Sequence, residues 1–418
     1  MNLKIQNSKF KIQNATLAIS GSKSETNRLL LLQALYSNIS IENTSNSDDS
    51  KVMLDALQKS KIKNQKSLII NAHHAGTAMR FLTAFFAIQK GQETLLTGSS
   101  RMKERPIKIL VDGLKQLGAE ITYIEKEGFP PIKIVGKKLT HSKVLLPANV
   151  SSQYVSALLL IAPMLENGLE LTLEGEITSR PYIEMTLALL NKIGVATSFE
   201  KNCILVSPKS IIENSQPINI ESDWSSASYY YSIVALSDIG TQIQLSSFSE
   251  NSLQADAVLS ELYKNFGVTT IFNSDNSITI SKTLNFKPET LNFHLNSSPD
   301  IAQTIAVTCF GLGVSCQLNG LHTLKIKETD RLVALKNELT PLGAKVKITS
   351  DSISIEGCPN LEVKNAVIKT YQDHRMAMSF APLAIKISLE IEQAEVVSKS
   401  YPAFWNDLKS LGFQIIEQ

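Results

Sequence analysis

The sequence predicts an α/β protein of two domains, each assembled from repeated units of about seventy residues. Three observations predict it. First, 418 residues exceed what one ordinary hydrophobic core holds, so two large domains are expected. Second, one phrase recurs: an amphipathic helix, a glycine with an apolar neighbour, then a strand. Its glycines stand at 118, 194, 267, 343 and 412, with spacings of 76, 73, 76 and 69. Each fits the left-handed residue that ends a helix before a strand. A degenerate sixth copy is expected to end near Met53–Gln58. Third, alternating segments such as Ile132–Val135 and Ser277–Ile280 read as half-buried strands between the helices.

Within this frame the helices of three units are expected at Val155–Leu165 and Pro181–Ile193, Ile301–Phe310 and Leu332–Leu339, and Met376–Ile385 and Phe404–Leu411. No Gly/Ser/Pro-rich linker is present, so short direct crossings near Ser20-Gly21 and Ser222-Asp223-Trp224 join the domains. The expected division is 21–223 for one lobe and 1–20 with 224–418 for the other.

The chemistry gathers at helix starts. Lys327-Glu328-Thr329-Asp330-Arg331 packs two cations and two carboxylates into five residues before Leu332–Leu339. Acids suit the positive end of a helix dipole, whereas cations there call for an anionic ligand or for full solvation. Gly21-Ser22-Lys23-Ser24-Glu25-Thr26-Asn27-Arg28 opens another helix, with Ser22 and Glu25 spaced as a capping box. Lys23 and Arg28 flank it, which suits a phosphate or carboxylate. His73-His74-Ala75-Gly76-Thr77-Ala78-Met79-Arg80 begins a third, where small residues let backbone approach a ligand. Arg101-Met102-Lys103-Glu104-Arg105-Pro106 concentrates three cations in five residues. Val150-Ser151-Ser152-Gln153-Tyr154 and Thr178-Ser179-Arg180-Pro181-Tyr182 carry more hydroxyls and amides than capping needs. Asn296-Ser297-Ser298-Pro299-Asp300 reads as a cap, a proline and an acid. Tyr371-Gln372-Asp373-His374-Arg375 and Lys399 precede the last helices. One explanation covers the set: helix N-termini of two domains converge on a cleft that binds more than one anionic small molecule.

Bulk properties exclude other classes. Formal net charge is only +2, so no global field favours nucleic acid or an anionic membrane. Carboxylates inside the cation clusters argue against tracking a phosphate backbone, whether by a clamp or by a repeat scaffold. The four cysteines, Cys203, Cys309, Cys316 and Cys358, form no CxxC pair, and no metal-like spacing joins them to the six histidines. They read as small buried hydrophobes of a reducing compartment. The N-terminus alternates like a strand and lacks a signal-peptide core, and no run approaches membrane-spanning length. A cytoplasmic protein without membrane contact is expected. No Walker motif, G-x-G-x-x-G, nucleophile elbow or zinc pattern occurs.

From Gly21 to Pro402 the chain resembles the 5-enolpyruvylshikimate-3-phosphate synthase (3-phosphoshikimate 1-carboxyvinyltransferase) family. The matching phrases, in order, are G-S-K-S-x-x-N-R, A-G-T-A-M-R, R-M-K-E-R-P-I, S-S-Q, P-D, K-E-T-D-R-L and D-H-R-M-A-M. The resemblance implies two inside-out α/β-barrel domains, each of three βαβαββ copies, closing around substrate. It implies enolpyruvyl transfer from phosphoenolpyruvate to the 5-hydroxyl of shikimate 3-phosphate through a tetrahedral intermediate, with release of phosphate. This is a step toward chorismate and the aromatic amino acids. No metal or organic cofactor is implied, and a monomer is expected.

Carried over by motif, Lys23, Arg101, Arg331, Arg375 and Lys399 hold phosphoenolpyruvate, with Gly76 and Gln153 nearby. Ser24, Arg28, Ser151, Ser152, Gln153, Ser179, Tyr182, Asp300 and Lys327 hold shikimate 3-phosphate. Arg28 meets its carboxylate, and Ser151, Ser152 and Ser179 meet its phosphate. The N-terminal lobe thus takes shikimate 3-phosphate and the C-terminal lobe completes the phosphoenolpyruvate site. The physics agrees, because two polyanions repel each other and several fixed cations are needed to bring them together. Glu328 is the expected acid/base at the methylene carbon and Asp300 the base for the 5-hydroxyl, with Lys23 and His374 assisting. Four positions depart from the family pattern: His74 for Asn, Phe81 and Ser100 for Pro, and Thr323 for Asn. Gly76 keeps the space that the phosphoenolpyruvate-competitive herbicide glyphosate requires, so inhibition is expected. The rival is the enolpyruvyl transferase acting on UDP-N-acetylglucosamine, which carries a reactive cysteine before the donor-binding arginine. The segment Leu95–Ser100 has none.

Overall fold

Each half of the molecule packs helices, one of them buried almost throughout, against four-stranded sheets whose strands alternate buried and exposed. The computed structural model describes residues 1–7, 12, 15–62, 67–209, 216–285, 290–357 and 366–418. Cys358, read above as a buried hydrophobe, lies outside them. Two compact units appear, Ser22–Ile220 and Met1–Gly21 with Glu221–Gln418, each with its own hydrophobic core. Gly21 pairs with Ser222, Ser222 Oγ donates to the Ile19 carbonyl at 2.6 Å, and Asp223 N–H donates to the Ser20 carbonyl at 3.2 Å. Gly21 and Glu221–Asp223 therefore belong with the C-terminal residues, whereas the expected division put all four in the other lobe.

The repeat is one supersecondary unit. Strand Ser67–Asn71, helix Gly76–Ala87 and parallel strand Glu93–Thr97 are followed by helix Lys108–Gln116. The hairpin Glu120–Tyr123 with Ile132–Val135 then completes an antiparallel edge. The same βαβαββ order runs through Lys143–Val206 and through Thr290–Glu356. At the chain ends, Leu3–Gln6 lies between Leu389–Ile391 and Gln414–Glu417, so the first strand completes the last unit. A second split unit pairs Ala15–Leu17 in parallel with Gln242–Leu245. The degenerate copy has helix Asp48–Ser60 where its end was expected, but among the described residues only two strands, Ile41–Glu42 and Ile218–Asn219.

All five predicted glycines have positive φ, from 72° at Gly267 to 100° at Gly412. At four of them the following amide also reaches back five residues, as Ala119 N–H does to the Leu114 carbonyl at 3.0 Å. This is the helix-ending motif that a residue with a β-carbon would strain.

Helix Gly76–Ala87 is buried along its whole length, and Trp224–Leu236 is buried at every position except half-buried Ser225. Strands such as Ser67–Asn71 and Lys143–Pro147 instead alternate buried and exposed. Inside the C-terminal unit the packed helices exchange hydroxyl bonds, Ser228 with Thr304 at 3.0 Å and Thr308 to Ser232 at 2.8 Å. Burying a hydroxyl is tolerated because it is paired.

Two helix starts fall earlier than the apolar pattern predicts. The helices begin at Ser152 and His374, because Ser151 and Asp373 cap them and the first turns carry polar residues. Their expected last turns are instead 3₁₀ segments, Ala162–Met164 and Ala381–Ile385.

Candidate active site

In the N-terminal unit, three guanidinium groups are buried: Arg28 at 2% exposure, Arg80 at 4% and Arg105 at 8%. Among the described residues none of them has a carboxylate within 4.0 Å. Arg28 donates instead to neutral oxygens: Thr186 Oγ1 at 2.8 Å, the Ser24 carbonyl at 2.8 Å, Ser156 Oγ at 3.0 Å and the Tyr182 carbonyl at 3.1 Å. Its guanidinium carbon lies 5.4 Å from the centre of the Phe81 ring, so the aromatic side chain found in place of proline faces this cation. Burial pushes Arg28 down to about 10, with Tyr182 and Glu25 opposing the fall, so it stays charged at neutral pH.

Arg80 donates to the carbonyls of Gly76 and Pro106, both at 3.1 Å. It too is pushed down to about 10, by burial first and by neighbouring Arg105 second. Gln153 Nε2 donates to Thr77 Oγ1 at 3.2 Å, and Tyr154 donates to the Pro106 carbonyl at 2.6 Å. Gly76, Arg105 and Gln153 are thereby drawn into one cluster.

Of the three cations in the Arg101–Arg105 segment, only Arg105 is buried. Arg101 is 42% exposed and pairs with Glu104 at 2.9 Å, and Lys103 pairs with Glu125 at 2.6 Å. The signal was present in the sequence: Glu104 follows Arg101 by three residues, a spacing at which helical side chains pair. Arg105 Nε is buried without a hydrogen-bond acceptor among the described residues. A β-carbon at Gly76 would lie 2.6 Å from Arg105 Nη1 and 3.0 Å from Nη2. Gly76→Ala should therefore displace this guanidinium while leaving the helix intact, since alanine suits a helix better than glycine. Losing one charge-assisted hydrogen bond to a ligand anion, about 1.5–3 kcal/mol, raises that ligand's KM roughly tenfold to a hundredfold. Steady-state kinetics beside a melting curve checks this, and an unchanged KM removes Arg105 from anion binding.

Ser22 Oγ accepts from Glu25 N–H at 3.5 Å, a long form of the expected cap. Lys23 and Ser24 form the first turn behind it. Ser151 caps through Gln153 N–H at 3.4 Å, and Ser152 is buried. Ser179 has a left-handed φ of 54° and makes no capping bond through its hydroxyl. A non-glycine residue held there is strained, and such strain gathers at functional sites. Ser100 takes the first helical position, where the replaced proline would also fit because no amide bond is needed there. His74 Nε2 stands 3.9 Å from Asp48, and no metal-type cluster occurs among the described residues. Nothing in the structure explains Thr323.

In the C-terminal unit the solvated reading of Lys327–Arg331 is overturned, because Arg331 is 2% exposed. Its Nε donates to Asp373 Oδ2 at 2.7 Å, Nη1 to Asp300 Oδ1 at 2.9 Å and Nη2 to Glu328 Oε2 at 2.9 Å. Burial opposes its charge, but Asp373, Glu328 and Asp300 outweigh burial and hold it above the ordinary arginine value. Asp330 caps the helix through Leu332 and Val333 N–H at 3.1 and 3.2 Å.

Asp300 also accepts from Arg375 Nη2 at 3.0 Å and lies 3.4 Å from Lys327 Nζ. Burial lowers Lys327, and Asp300 pulls it back up. Ser298 does not cap as expected; its hydroxyl donates to the Ala255 carbonyl at 2.9 Å, and a 3₁₀ turn, Pro299–Ile301, carries Asp300. Tyr371 and Gln372 both have φ of 54°, and Lys399 Nζ donates to the Gln372 carbonyl at 2.7 Å. Buried His374 places Nδ1 3.8 Å from Asp373 Oδ1. Asp373, Asp256 and Ser225 belong to this network and were not singled out as site residues in the sequence. Long-range pairing, not local pattern, brings them in.

A family model described as EPSP synthase (3-phosphoshikimate 1-carboxyvinyltransferase) matches residues 8–408. A Bacteroides fragilis protein named 3-phosphoshikimate 1-carboxyvinyltransferase is 45% identical over 405 residues, covering 96% of each chain. A Haemophilus influenzae protein of the same name is 34% identical, covering 95% of this chain and 96% of its own. A solved EPSP synthase from Acinetobacter baumannii superposes with a TM-score of 0.79 at 21% identity, each chain covered in full, which shows the shared fold. No described helix is long and apolar enough to cross a membrane. With a family model spanning nearly the whole chain, the chain belongs to the EPSP synthase (3-phosphoshikimate 1-carboxyvinyltransferase) family, which transfers the enolpyruvyl group of phosphoenolpyruvate to shikimate 3-phosphate in the shikimate pathway.

Proposed function

We propose that each cluster serves this transfer: shikimate 3-phosphate takes the serine-rich helix starts of the N-terminal unit, and phosphoenolpyruvate takes its own set of cations. The observation that carries the reading is the set of buried guanidiniums, Arg28, Arg80 and Arg105, without carboxylate partners among the described residues. Buried cations of that kind are costly unless an anion completes them. Arg28, with Ser24 and Tyr182 around it, meets the shikimate carboxylate; Ser151, Ser152 and Ser179 take the phosphate. Asp300 and Lys327 hold the hydroxyl side of the ring.

Phosphoenolpyruvate is held by Lys23, Arg331, Arg375 and Lys399, with Gly76 and Gln153 beside it. Arg105 takes the place that motif carry-over gave to Arg101. Asp300 and Glu328 both accept from Arg331, one on each Nη, so two carboxylates are poised side by side. Asp300 takes the proton of the 5-hydroxyl as its oxygen attacks C2 of phosphoenolpyruvate. Glu328 delivers a proton to the methylene carbon, and removes one from the resulting methyl when phosphate leaves the tetrahedral intermediate. Lys23 and His374 assist the departing phosphate. Each step is an acid–base event among fixed charges, which suits a site whose charges are already oriented. Within the family the acceptor is shikimate 3-phosphate, and the cysteine-free Leu95–Ser100 segment supports that acceptor over UDP-N-acetylglucosamine.

Phosphate release from phosphoenolpyruvate and shikimate 3-phosphate, measured in Arg105→Lys and Arg101→Lys, tests the assignment. Arg105→Lys should raise the phosphoenolpyruvate KM at least tenfold, since lysine loses the bidentate fork. Arg101→Lys should change little. The reverse ranking would return the role to Arg101.

A further inference from the structure

With Asp256 ionised, the Arg331 cluster carries one more acid than cation before any substrate arrives. Asp300, Glu328, Asp373 and Asp256 stand against Lys327, Arg331 and Arg375. Such a cluster is ill suited to receive a further anion unless a proton enters with it. Asp256 has the geometry for that proton. It lies in the turn Ala255–Val258, 2% exposed, with Oδ2 accepting a short hydrogen bond from Ser225 Oγ. Its Oδ1 is buried with no hydrogen-bond partner among the described residues, so one lone-pair site is open to protonation. Ser225 Oγ also accepts from Arg375 Nη2 at 3.3 Å, which links Asp256 to Arg375 through a single hydroxyl.

The charged and titratable groups facing Asp256 are Asp223, beside Ser225 at the start of helix Trp224–Leu236, Asp300 from the Pro299–Ile301 turn, and Arg375 from helix His374–Phe380. Two of those three are acids. Burial, then Asp300, pushes Asp256 up to about 7, against the opposing pull of Arg375 and Ser225.

We propose that Asp256 couples phosphoenolpyruvate binding to proton uptake: as substrate charge reaches Arg375, Asp256 Oδ1 takes a proton from solvent and becomes a neutral acid. This rests on the reading that Arg375 holds phosphoenolpyruvate. Asp256 is a positioning residue that keeps the field around Arg375 favourable and does not touch the reacting atoms.

The test is the pH profile of the phosphoenolpyruvate KM at saturating shikimate 3-phosphate, from pH 7 to 8.5, above the ordinary second phosphate ionisation near 6. The wild-type KM should climb with pH, by at most about tenfold per unit for one linked proton. Asp256→Asn is permanently neutral, so its KM should stay low and flat across this range. Ser225→Ala removes a bond that favours the charged form, so its climb should begin at higher pH than in the wild type.

Stability supplies a readout independent of turnover. The folded-state value of Asp256 lies above its unfolded value, so its contribution is present at low pH and is lost as pH rises through about 7. Asp256→Asn should therefore melt above the wild type at pH 8, with an advantage that shrinks as pH falls through about 7 and vanishes only near the unfolded value of about 4. If Asp256→Asn does not fold, Ser225→Ala decides alone, and an unshifted or downward-shifted profile overturns the proposal.

Arg375→Lys separates the two readings. If it raises the KM at every pH while wild type and Asp256→Asn share one profile, the proton coupling fails and the site stands. If Arg375→Lys leaves the KM unchanged, the site reading fails and takes the coupling with it.

Discussion

Glu328→Gln should lower kcat by about 10²–10⁴-fold with both KM values nearly unchanged, the loss typical of a general acid–base group. The substitution keeps the shape, and its amide oxygen can still accept from Arg331 Nη2, now 2.9 Å from Glu328 Oε2. What disappears is the exchangeable proton. Arg331 retains Asp373 and Asp300, so the fold around it should hold and the melting temperature should move little. Phosphate-release kinetics with a parallel melt separates the outcomes. A variant turning over within a few-fold of wild type would exclude Glu328 from proton transfer. A variant losing KM and stability together would make it a structural partner of Arg331.

Arg331→Met should cost the most stability of any single change at the site, on the order of 3–5 kcal/mol. Arginine is buried here because three carboxylates complete it, and Asp373 is itself fully buried. Methionine fills the volume but takes the guanidinium from Asp373 and Glu328, while Asp300 keeps Arg375 and Lys327. Stranded buried carboxylates take up protons, so their values rise above those of the unfolded chain. The deficit should therefore be largest at alkaline pH and shrink as pH falls toward about 5. Denaturant melts at pH 8 and pH 5 check the sign. An equal deficit at both would mean the loss comes from packing alone. Phosphoenolpyruvate saturation should be lost in the same variant.

These effects show how unevenly the site can be read from the chain. The serine and glycine signals were local and legible. Ser22, Ser151 and Asp330 cap helices through amides two or three residues away, a geometry written into their spacing. The cations of the same segments were visible as residue types, but not as environments. Arg101 and Arg105 lie four residues apart in one motif, yet one is solvated beside Glu104 and the other is buried against Gly76. Arg331 finds Asp300 31 residues away and Asp373 42 residues away. No periodicity reports such a pairing. The Asp256–Ser225 bond spans 31 residues and joins two segments that carry no motif of their own.

By itself the sequence determined the six-part plan. Its evenly spaced glycines end helices in a backbone conformation that disfavours other residues, and apolar periodicity makes the adjoining segments helix or strand. Tertiary structure alone decided which charges are withdrawn from water, how the first strand completes the last sheet, and which acid shares its arginine with which neighbour. The physical reason is range. Torsional preference and capping act over a few residues, whereas desolvation and charge pairing depend on what lies nearby in space, whatever its place in the chain.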